Sequence, residues 1–432
     1  MPEDPIVIVD GASIISACGG NVPTWDAMVR GRTGARRIES PLSSLPGVNI
    51  AAPVFPQGLG SHQKRLLQGI ERKYDRRWGL GSQVAVLVAD DLFKHYPLSL
   101  LQAFTGLEMG ISFGIAEGAA SLREAIILGL AARQHAFEED PSNGKKAVPV
   151  LSSVEAIGNM PAFHVSQAFN LYGPNITFAG ACAAGIQALW GAGSLLKNGE
   201  ADIVVTGGSE DLVSGGTILS TFHLMKVMTS ILEGQTAAQT PTAFDKNSRG
   251  FVLGAGGVSM MVMKKSLATR FNMPIVATVR GFGHTNDGID RAVPDENGVQ
   301  LARAIRLAIS RSGLTPDDID VVFTHGAGTP AGDVAEVAAL RDVFADCTEG
   351  PFITAIKPIV GHMMGAASAA SIWAAQQSIK TGIIPPIANL TDPIDDVLRF
   401  VMGSSVRTFV KHALVLGVGL GGINEAVVVS AI

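Results

Sequence analysis

Cys182 lies in the stretch NITFAGACAAGIQALWGAG, where small residues separate a short apolar run from a segment with helical periodicity. Apolar residues recur at helical spacing after the cysteine until Gly199 offers a C-terminal stop. The free N–H groups and the dipole of a helix start lower a thiol pKa, and the thiolate is the nucleophilic form. The pattern therefore predicts an activated cysteine nucleophile. The alternative, and commoner, role of such a cysteine is that of a small packing residue.

Three further residues could serve such a nucleophile. His325 follows an apolar run and enters the glycine-rich loop HGAGTPAGDVAE, and Lys357 and His362 lie in IKPIVGHMMGAAS. α/β folds carry their chemistry in loops at the carboxyl ends of strands, so these residues are candidates for hydrogen-bonding or acid–base roles. A lone histidine is more often structural, but two in matching loops favour a shared site.

Composition narrows the class of protein. The chain has 432 residues, of which 47% are hydrophobic and 16% charged, with 50 glycines and a net charge of −5. These values favour packed α/β layers and argue against disorder and a general nucleic-acid surface. Basic residues at 64–65 and 72–77 could still dock an acidic partner.

Neither a membrane span nor a metal site is predicted. No apolar run approaches the roughly 18 residues needed to cross a bilayer. The acidic start MPEDPIVIVDG lacks the features of a secretory signal, so we expect a cytoplasmic protein. The three cysteines, Cys18, Cys182 and Cys347, are far apart and form no CxxC pair, so neither a disulfide framework nor a zinc site is indicated.

The order of strand and helix signals starts twice along the chain. Strands are predicted at 6–9, 109–115, 175–178, 203–206 and 258–263, and again at 275–282 and 321–324. Helices are predicted at 25–29, 75–96, 120–132 and 299–312, and after Cys182. We therefore predict two halves, 1–270 with the cysteine and 271–432 with both histidines, built as layered sheets with helices on their faces.

The motifs resemble those of the β-ketoacyl-acyl-carrier-protein synthases of the thiolase superfamily. The cysteine stretch with its following GGSE, DKNSRGFVLGAGG, HGAGTPAGDVAE, IKPIVGHMMGAAS and GVGLGGINEAVVV occur in family order over nearly the whole chain. The resemblance implies a thiolase-like five-layer αβαβα fold of two similar βαβαβαββ halves. It also implies a homodimer or a heterodimer with a ketosynthase-like subunit, an acyl carrier protein as partner, and no metal or redox cofactor.

The resemblance further implies a decarboxylative Claisen condensation. Cys182 would be acylated by a carrier-bound thioester, while His325 and His362 would support malonyl decarboxylation and stabilise the enolate. Lys357 and Glu336 resemble the family's buried charge pair, which orders the histidines. The backbone N–H groups of Cys182 and Leu420 would form the oxyanion hole.

Three positions depart from the family pattern. Ala327 stands where a hydroxyl residue usually contacts the phosphopantetheine arm, although Thr329 keeps the second hydroxyl. Leu420 stands at the phenylalanine that gates the cysteine pocket, and Ile423 replaces a threonine of the substrate-binding region. These changes favour a specialised fatty-acid or type II polyketide pathway over housekeeping elongation.

Other functions fit the sequence less well. A thiolase would need a second cysteine in the C-terminal glycine loop, and residues 417–424 contain none. A papain-like protease would carry a CGSC[WY] signature, which is absent. A non-catalytic partner resembling a chain-length factor is the alternative from another class. Such subunits typically lack the nucleophile, whereas Cys182 is present.

Overall fold

The computed structural model describes residues 4–38, 48–54, 78–96, 100, 103–117, 152–214 and 216–432. Its strands are Ile6–Val9 (β1), Ser13–Ile15 (β2), Arg36–Arg37 (β3), Ile50–Ala51 (β4), Met109–Ile115 (β5), Asn175–Ala179 (β6), Ile203–Glu210 (β7), Gly256–Lys264 (β8), Ile275–Asn286 (β9), Val321–Phe323 (β10), Phe352–Thr354 (β11), Ile383–Ile384 (β12), Arg399–Phe400 (β13), Val406–Arg407 (β14), His412–Gly419 (β15) and Ile423–Ser430 (β16). Its helices are Asn21–Val29 (α1), Leu80–Lys94 (α2), Ser152–Glu155 (α3), Met160–Phe169 (α4), Ala184–Asn198 (α5), Gly216–Leu224 (α6), Lys265–Arg270 (α7), Val299–Arg311 (α8), Pro330–Phe344 (α9), Lys357–Val360 (α10) and Ala367–Thr381 (α11).

Most predicted elements within these residues are confirmed, with small changes at their ends. The first helix begins at Asn21 rather than after Thr24, because Pro23 is tolerated in a first turn and the Thr24 hydroxyl bonds Gly19 instead. The predicted helix at 75–96 is observed from Leu80, and its first residues lie outside the described part of the chain. The predicted helix at 120–132 and the basic residues at 64–65 and 72–77 also lie outside it.

The two halves share one strand order. Within the described residues, the main sheet runs β13-β11-β10-β15-β16-β9-β1-β8-β7-β5-β6. Five strands of each half can be numbered along the chain: β1, β5, β6, β7 and β8 in the first half, and β9, β10, β11, β15 and β16 in the second. In both halves these strands are arranged in the sheet in the order 1-5-4-2-3, and the two first strands, β1 and β9, pair antiparallel. The repeat inferred from the sequence is therefore present in the topology.

Packing separates the molecule into layers. Strands such as β7 and β15 are buried on both faces: Val204 and Val415 point into a central core, while Val205 and Leu414 point into the two outer cores. α5 and α11 fill the central core, α2 and α4 cover one outer face, and α8 and α9 cover the other. Helices therefore form the two outer layers and the central layer, and a sheet layer lies on each side of the central helices. This arrangement confirms the predicted five-layer αβαβα fold. Whether 1–270 and 271–432 are separate domains stays a prediction.

The described helices include none that is long and apolar enough to cross a membrane.

The two central helices approach each other at Gly185. A Cβ atom built there would lie 2.4 Å from the backbone nitrogen of Ala369 on α11. Gly193, on the same helix, has open space around the corresponding position. The absence of a side chain at residue 185 therefore sets how closely α5 and α11 pack.

We expect Gly185→Ala to lower the free energy of unfolding by about 1–3 kcal/mol, because the added methyl group overpacks the centre of the fold. Gly193→Ala is the matched control, and its higher helix propensity should raise stability by up to about 1 kcal/mol. Denaturant unfolding of both variants measures the difference. Equal stabilities would contradict the close packing at Gly185.

Candidate active site

Cys182 lies in a 3-10 turn, Ala181–Ala183, directly before the buried helix α5. Ala181 has a φ of 48°, an uncommon left-handed conformation for a residue with a side chain. This turn follows β6, so the sequence places the thiol where a strand gives way to the central helix, as predicted. The side chain of Cys182 is buried, with 6% of its surface exposed.

The predicted lowering of the thiol pKa is wrong for this environment. Burial raises the pKa of Cys182 to about 11, and the negative charge of Glu210 acts in the same direction. The positive charge of Lys357 and the backbone N–H groups of Cys182 and Leu420 oppose the rise without cancelling it. The thiol is therefore protonated at neutral pH and must lose its proton as it reacts.

His325 and His362 lie side by side, with ring centroids 5.5 Å apart and planes nearly perpendicular. The Nδ1 atom of His325 accepts a hydrogen bond from the backbone N–H of Val418 at 3.1 Å. The Nδ1 atom of His362 accepts one from the backbone N–H of Met364 at 3.2 Å. Because both Nδ1 atoms are acceptors, the proton of each neutral ring resides on Nε2.

Both imidazoles are neutral. Burial holds the pKa of each ring well below its usual value, and the charge of Lys357 lowers both further. Two neutral rings that carry their protons on Nε2 can donate hydrogen bonds to one oxygen atom without transferring a proton to it. This is the arrangement that stabilises an enolate.

Lys357 and Glu336 both fix His325, but they do not form a salt bridge with each other within the described structure. The Lys357 ammonium donates to the carbonyl oxygen of His325, and Nζ lies 3.4 Å from its Nδ1. The Glu336 carboxylate accepts the backbone N–H groups of His325, at 2.5 Å, and of Gly326, at 2.6 Å. The two charges of the expected buried pair thus act on each other without direct contact, and each group separately anchors the loop that carries His325.

Burial also shifts the charges of these anchors. It raises the pKa of Glu336 to about 7 and lowers that of Lys357 to about 8, and each charge partly restores the ionised form of the other. Asp333, one turn earlier on α9, is buried too and accepts the backbone N–H groups of Gly328 and Phe244. The carboxylates of Glu336 and Asp333 therefore both fix the backbone of the loop that carries His325.

The backbone N–H groups of Cys182 and Leu420 both interact with the cysteine sulfur. They come from different halves: one precedes α5 and the other lies in the turn between β15 and β16. Gly421 and Gly422 complete that turn at φ values of 86° and 75°, which glycine adopts without strain. Two converging N–H donors are the components of an oxyanion hole.

One cavity of about 200 Å³ joins most of the predicted site. Its lining includes Cys182, His325, His362, Glu336, Ala327, Thr329 and Leu420. Ile423 is not in this lining, although Gly422 and Asn424 are. Ile423 is the first residue of β16 and is half-buried, so its contact with substrate stays a prediction.

Several residues of the cavity were not among the site residues predicted from the sequence. Met364 lies with its Sδ 3.7 Å from the Cys182 sulfur, and Phe251 packs edge-on against the His362 ring at 5.1 Å. Asp287, Asp290 and Asp295 line the mouth. Met364, two residues after His362, and Phe251, within DKNSRGFVLGAGG, could have been found from the motifs that contain them. The three aspartates lie outside those motifs, and only tertiary folding brings their loop to the cavity.

Among the described residues, no group of three or more histidine, cysteine, aspartate or glutamate side chains could hold a metal ion.

Known proteins share this fold and these motifs. The family model "Beta-ketoacyl synthase, N-terminal domain" matches residues 3–268, and "Beta-ketoacyl synthase, C-terminal domain" matches residues 276–391. A Mycobacterium leprae protein named 3-oxoacyl-acyl-carrier-protein synthase 2 is 27% identical over 98% of this chain and 96% of its own.

Two solved structures are similar over nearly the whole chain. A β-ketoacyl synthase from Burkholderia phymatum STM815 is 26% identical, with a TM-score of 0.83 over 99% of this chain and 100% of that one. A ketosynthase bound to a hexaketide, in complex with its type II polyketide acyl-carrier protein, is 21% identical, with the same TM-score of 0.83 and the same coverage of 99% and 100%. At that identity, the second structure supports the fold alone.

We expect the alkylation of Cys182 by iodoacetamide to accelerate with pH well beyond neutrality. The thiolate is the reactive form, and its fraction grows about tenfold per pH unit below the thiol pKa of about 11. A plateau in the rate below about pH 8 would contradict a raised pKa.

Lys357→Met should slow this alkylation further at pH 7, on the order of tenfold, because the loss of a nearby positive charge raises the thiol pKa. The difference should narrow above about pH 8, where Lys357 loses its own proton. Lys380→Met, which removes an ammonium paired with the distant Asp10, serves as the control.

Proposed function

Because this chain belongs to the β-ketoacyl synthase family, we propose that it condenses an acyl group held on Cys182 with a malonyl group carried by an acyl carrier protein. The protein is an acyltransferase of the EC 2.3.1 type. The observation that carries the proposal is the convergence of one thiol and two neutral imidazoles on a single buried cavity.

The first step is acyl transfer. The Cys182 sulfur attacks the carbonyl carbon of a carrier-bound thioester, and the resulting oxyanion accepts the backbone N–H groups of Cys182 and Leu420. The bond to the carrier sulfur then breaks, and the proton lost by Cys182 is taken up by the departing carrier thiolate. Since the resting thiol is protonated, this proton must leave as attack proceeds.

The second step is decarboxylation and carbon–carbon bond formation. The malonyl group loses CO2, and the electron pair of the broken bond forms an enolate whose oxygen accepts the Nε2–H groups of His325 and His362. The enolate carbon attacks the acyl carbonyl on Cys182. The carbon–sulfur bond breaks, and the cysteine thiolate takes up a proton from solvent water. The proposed chemistry uses no metal or redox cofactor.

Lys357 and Glu336 act on the histidines rather than on the substrate. The ammonium group holds the His325 carbonyl and adds to the effect of burial that keeps both rings neutral, while the carboxylate holds the backbone of the same loop. Both are therefore proposed as positioning residues.

The acyl carrier protein is the proposed partner, and the pathway is proposed to be a specialised fatty-acid or type II polyketide one. At the cavity, Thr329 offers a hydroxyl group to the phosphopantetheine arm, but Ala327 does not. Leu420 is 42% exposed at the mouth and gates it with an aliphatic group. The proposed location of the protein is the cytoplasm.

A chain-length-factor-like partner subunit is the weaker alternative. It would need no nucleophile, whereas this chain brings Cys182 and two Nε2–H donors into one cavity. Each of these features would be superfluous in a subunit that only shapes a pocket.

The edge strand β6 supports an assembly of two ketosynthase-like subunits. It ends the main sheet, and Ile176 and Phe178 are only half-buried there. Trp190 on α5 packs edge-on against Phe178 and is 44% exposed. An exposed edge with apolar side chains is typically covered by a second chain.

We expect the protein to sediment as a dimer and Trp190→Glu to shift it toward monomer, because a carboxylate would be buried in the proposed interface. Phe409→Glu is the matched control, since Phe409 is exposed far from β6. A monomeric wild type would contradict the proposed interface.

Incubation with acylated carrier protein should leave an acyl group on the wild type and none on Cys182→Ala, since only the thiol can form the thioester. Intact-mass analysis measures the adduct. An adduct that persists in the variant would overturn the assignment of the nucleophile.

His325→Ala should release CO2 from malonyl carrier protein roughly 100-fold or more slowly than the wild type, because one hydrogen-bond donor to the enolate is gone. Intact-mass analysis should show that Cys182 of this variant is still acylated. Retained decarboxylation would count against the role of His325.

A further inference from the structure

A chain of three polar side chains lies behind the cysteine turn. The Gln187 amide nitrogen on α5 donates to one carboxylate oxygen of Glu425 at 2.9 Å. The other oxygen of Glu425 is bonded to Nδ1 of His284 on β9. Glu425 is 97% buried, with 3% of its surface exposed, so its carboxylate depends on these two partners for stabilisation.

One end of this chain lies against the residue that begins the cysteine turn. A Cβ atom on Gly180 would be 2.0 Å from the Gln187 side-chain oxygen, so the amide packs directly onto the Gly180 backbone. Gly180 also accepts the backbone N–H of Ala183, which closes the turn around Cys182. Movement of the Gln187 side chain would therefore shift the position of the Cys182 backbone N–H group.

The middle residue of the chain, Glu425, holds the hairpin that carries Leu420. Glu425 lies on β16 and pairs with Gly417 on β15, three residues before Leu420. The hairpin also comes close to the cysteine turn directly: a Cβ on Gly419 would lie 3.0 Å from the Gly180 carbonyl oxygen. The Gln187–Glu425 hydrogen bond thus joins the element that supplies one oxyanion donor to the element that supplies the other.

We propose that Gln187 and Glu425 are positioning residues that fix the spacing between the N–H groups of Cys182 and Leu420, with His284 holding the second oxygen of Glu425. The inference rests on the proposed function, since it concerns the oxyanion of acyl transfer. The two N–H donors belong to different halves of the fold, so contacts between the halves are needed to fix the distance between them. A donor displaced by a fraction of an ångström loses much of its effect on the transition state.

The test separates acylation from alkylation at Cys182. Acyl transfer passes through an oxyanion, whereas alkylation by iodoacetamide does not, and both reactions depend on the same thiolate. A change in thiol pKa or in access alters both rates alike, whereas a displaced donor slows acylation by more than alkylation, because only acylation builds up an oxyanion. At saturating carrier protein, the ratio of the two rates therefore reports the oxyanion hole.

We expect Glu425→Ala to slow acylation of Cys182 by acyl carrier protein roughly 10- to 100-fold, with iodoacetamide alkylation within about twofold of wild type. Gln187→Ala should behave alike and keeps the test available if the first variant folds poorly, because residue 187 is only half-buried and alanine favours helix. Glu425→Gln retains an acceptor for Gln187 and should stay close to wild type.

Ser430→Ala is the matched control. Ser430 is a buried residue of the same strand whose hydroxyl bonds His412, far from the cavity, and its loss should leave the ratio unchanged. An acylated wild type with an unchanged ratio in both alanine variants would overturn this inference while leaving the proposed function intact. A parallel fall of both rates would also overturn it. A wild type that takes up no acyl group would overturn the proposed function, and the inference with it.

Discussion

The buried ammonium group of Lys357 acts on every titratable group of the site. Burial is the larger cause of each pKa shift; the charge of Lys357 opposes the rise in the pKa of Cys182 and Glu336 and adds to the lowering of the pKa of both histidines. A charge in a low-dielectric interior acts over longer distances than one in water, so a single group can influence a nucleophile and two imidazoles at once. Its own ionisation is maintained chiefly by Glu336, although the two do not touch.

The repeated fold explains why only one half carries a nucleophile. The turn before α11, Met364–Ala366, matches the turn before α5, and Met364 has a φ of 40° where Ala181 has 48°. The second residue of each turn is Cys182 in one half and Gly365 in the other. A Cβ at Gly365 would lie 2.4 Å from the backbone of Ala116, so that turn has no room for a side chain. The second turn supplies its neighbours, His362 and Met364, instead.

Much of this arrangement could be predicted from local sequence. The strands β6 and β10 are visible in the sequence, and the loops after them mark where the cysteine helix begins and where His325 lies. The family resemblance of the ordered motifs then implied the layered fold and the set of residues around one cavity.

The remaining features depend on tertiary environment. The pKa of Cys182 follows from how completely the thiol is enclosed, which no local pattern reports. Lys357 and Glu336 act on each other's charge as expected, but the backbone groups of the His325 loop that each one bonds could not be predicted. Gln187, Glu425 and His284 meet only because three separate elements pack together.

The central placement of α5 has a consequence for motion. α5 and α11 are covered on both sides by sheet, and α11 is buried along almost its whole length. Helices in that position exchange their amide hydrogens only when the protein opens globally, whereas outer helices fray independently. We therefore expect the buried part of the helix after Cys182 to be among the slowly exchanging segments, and the geometry of the cysteine turn to persist up to the temperature at which the entire fold melts.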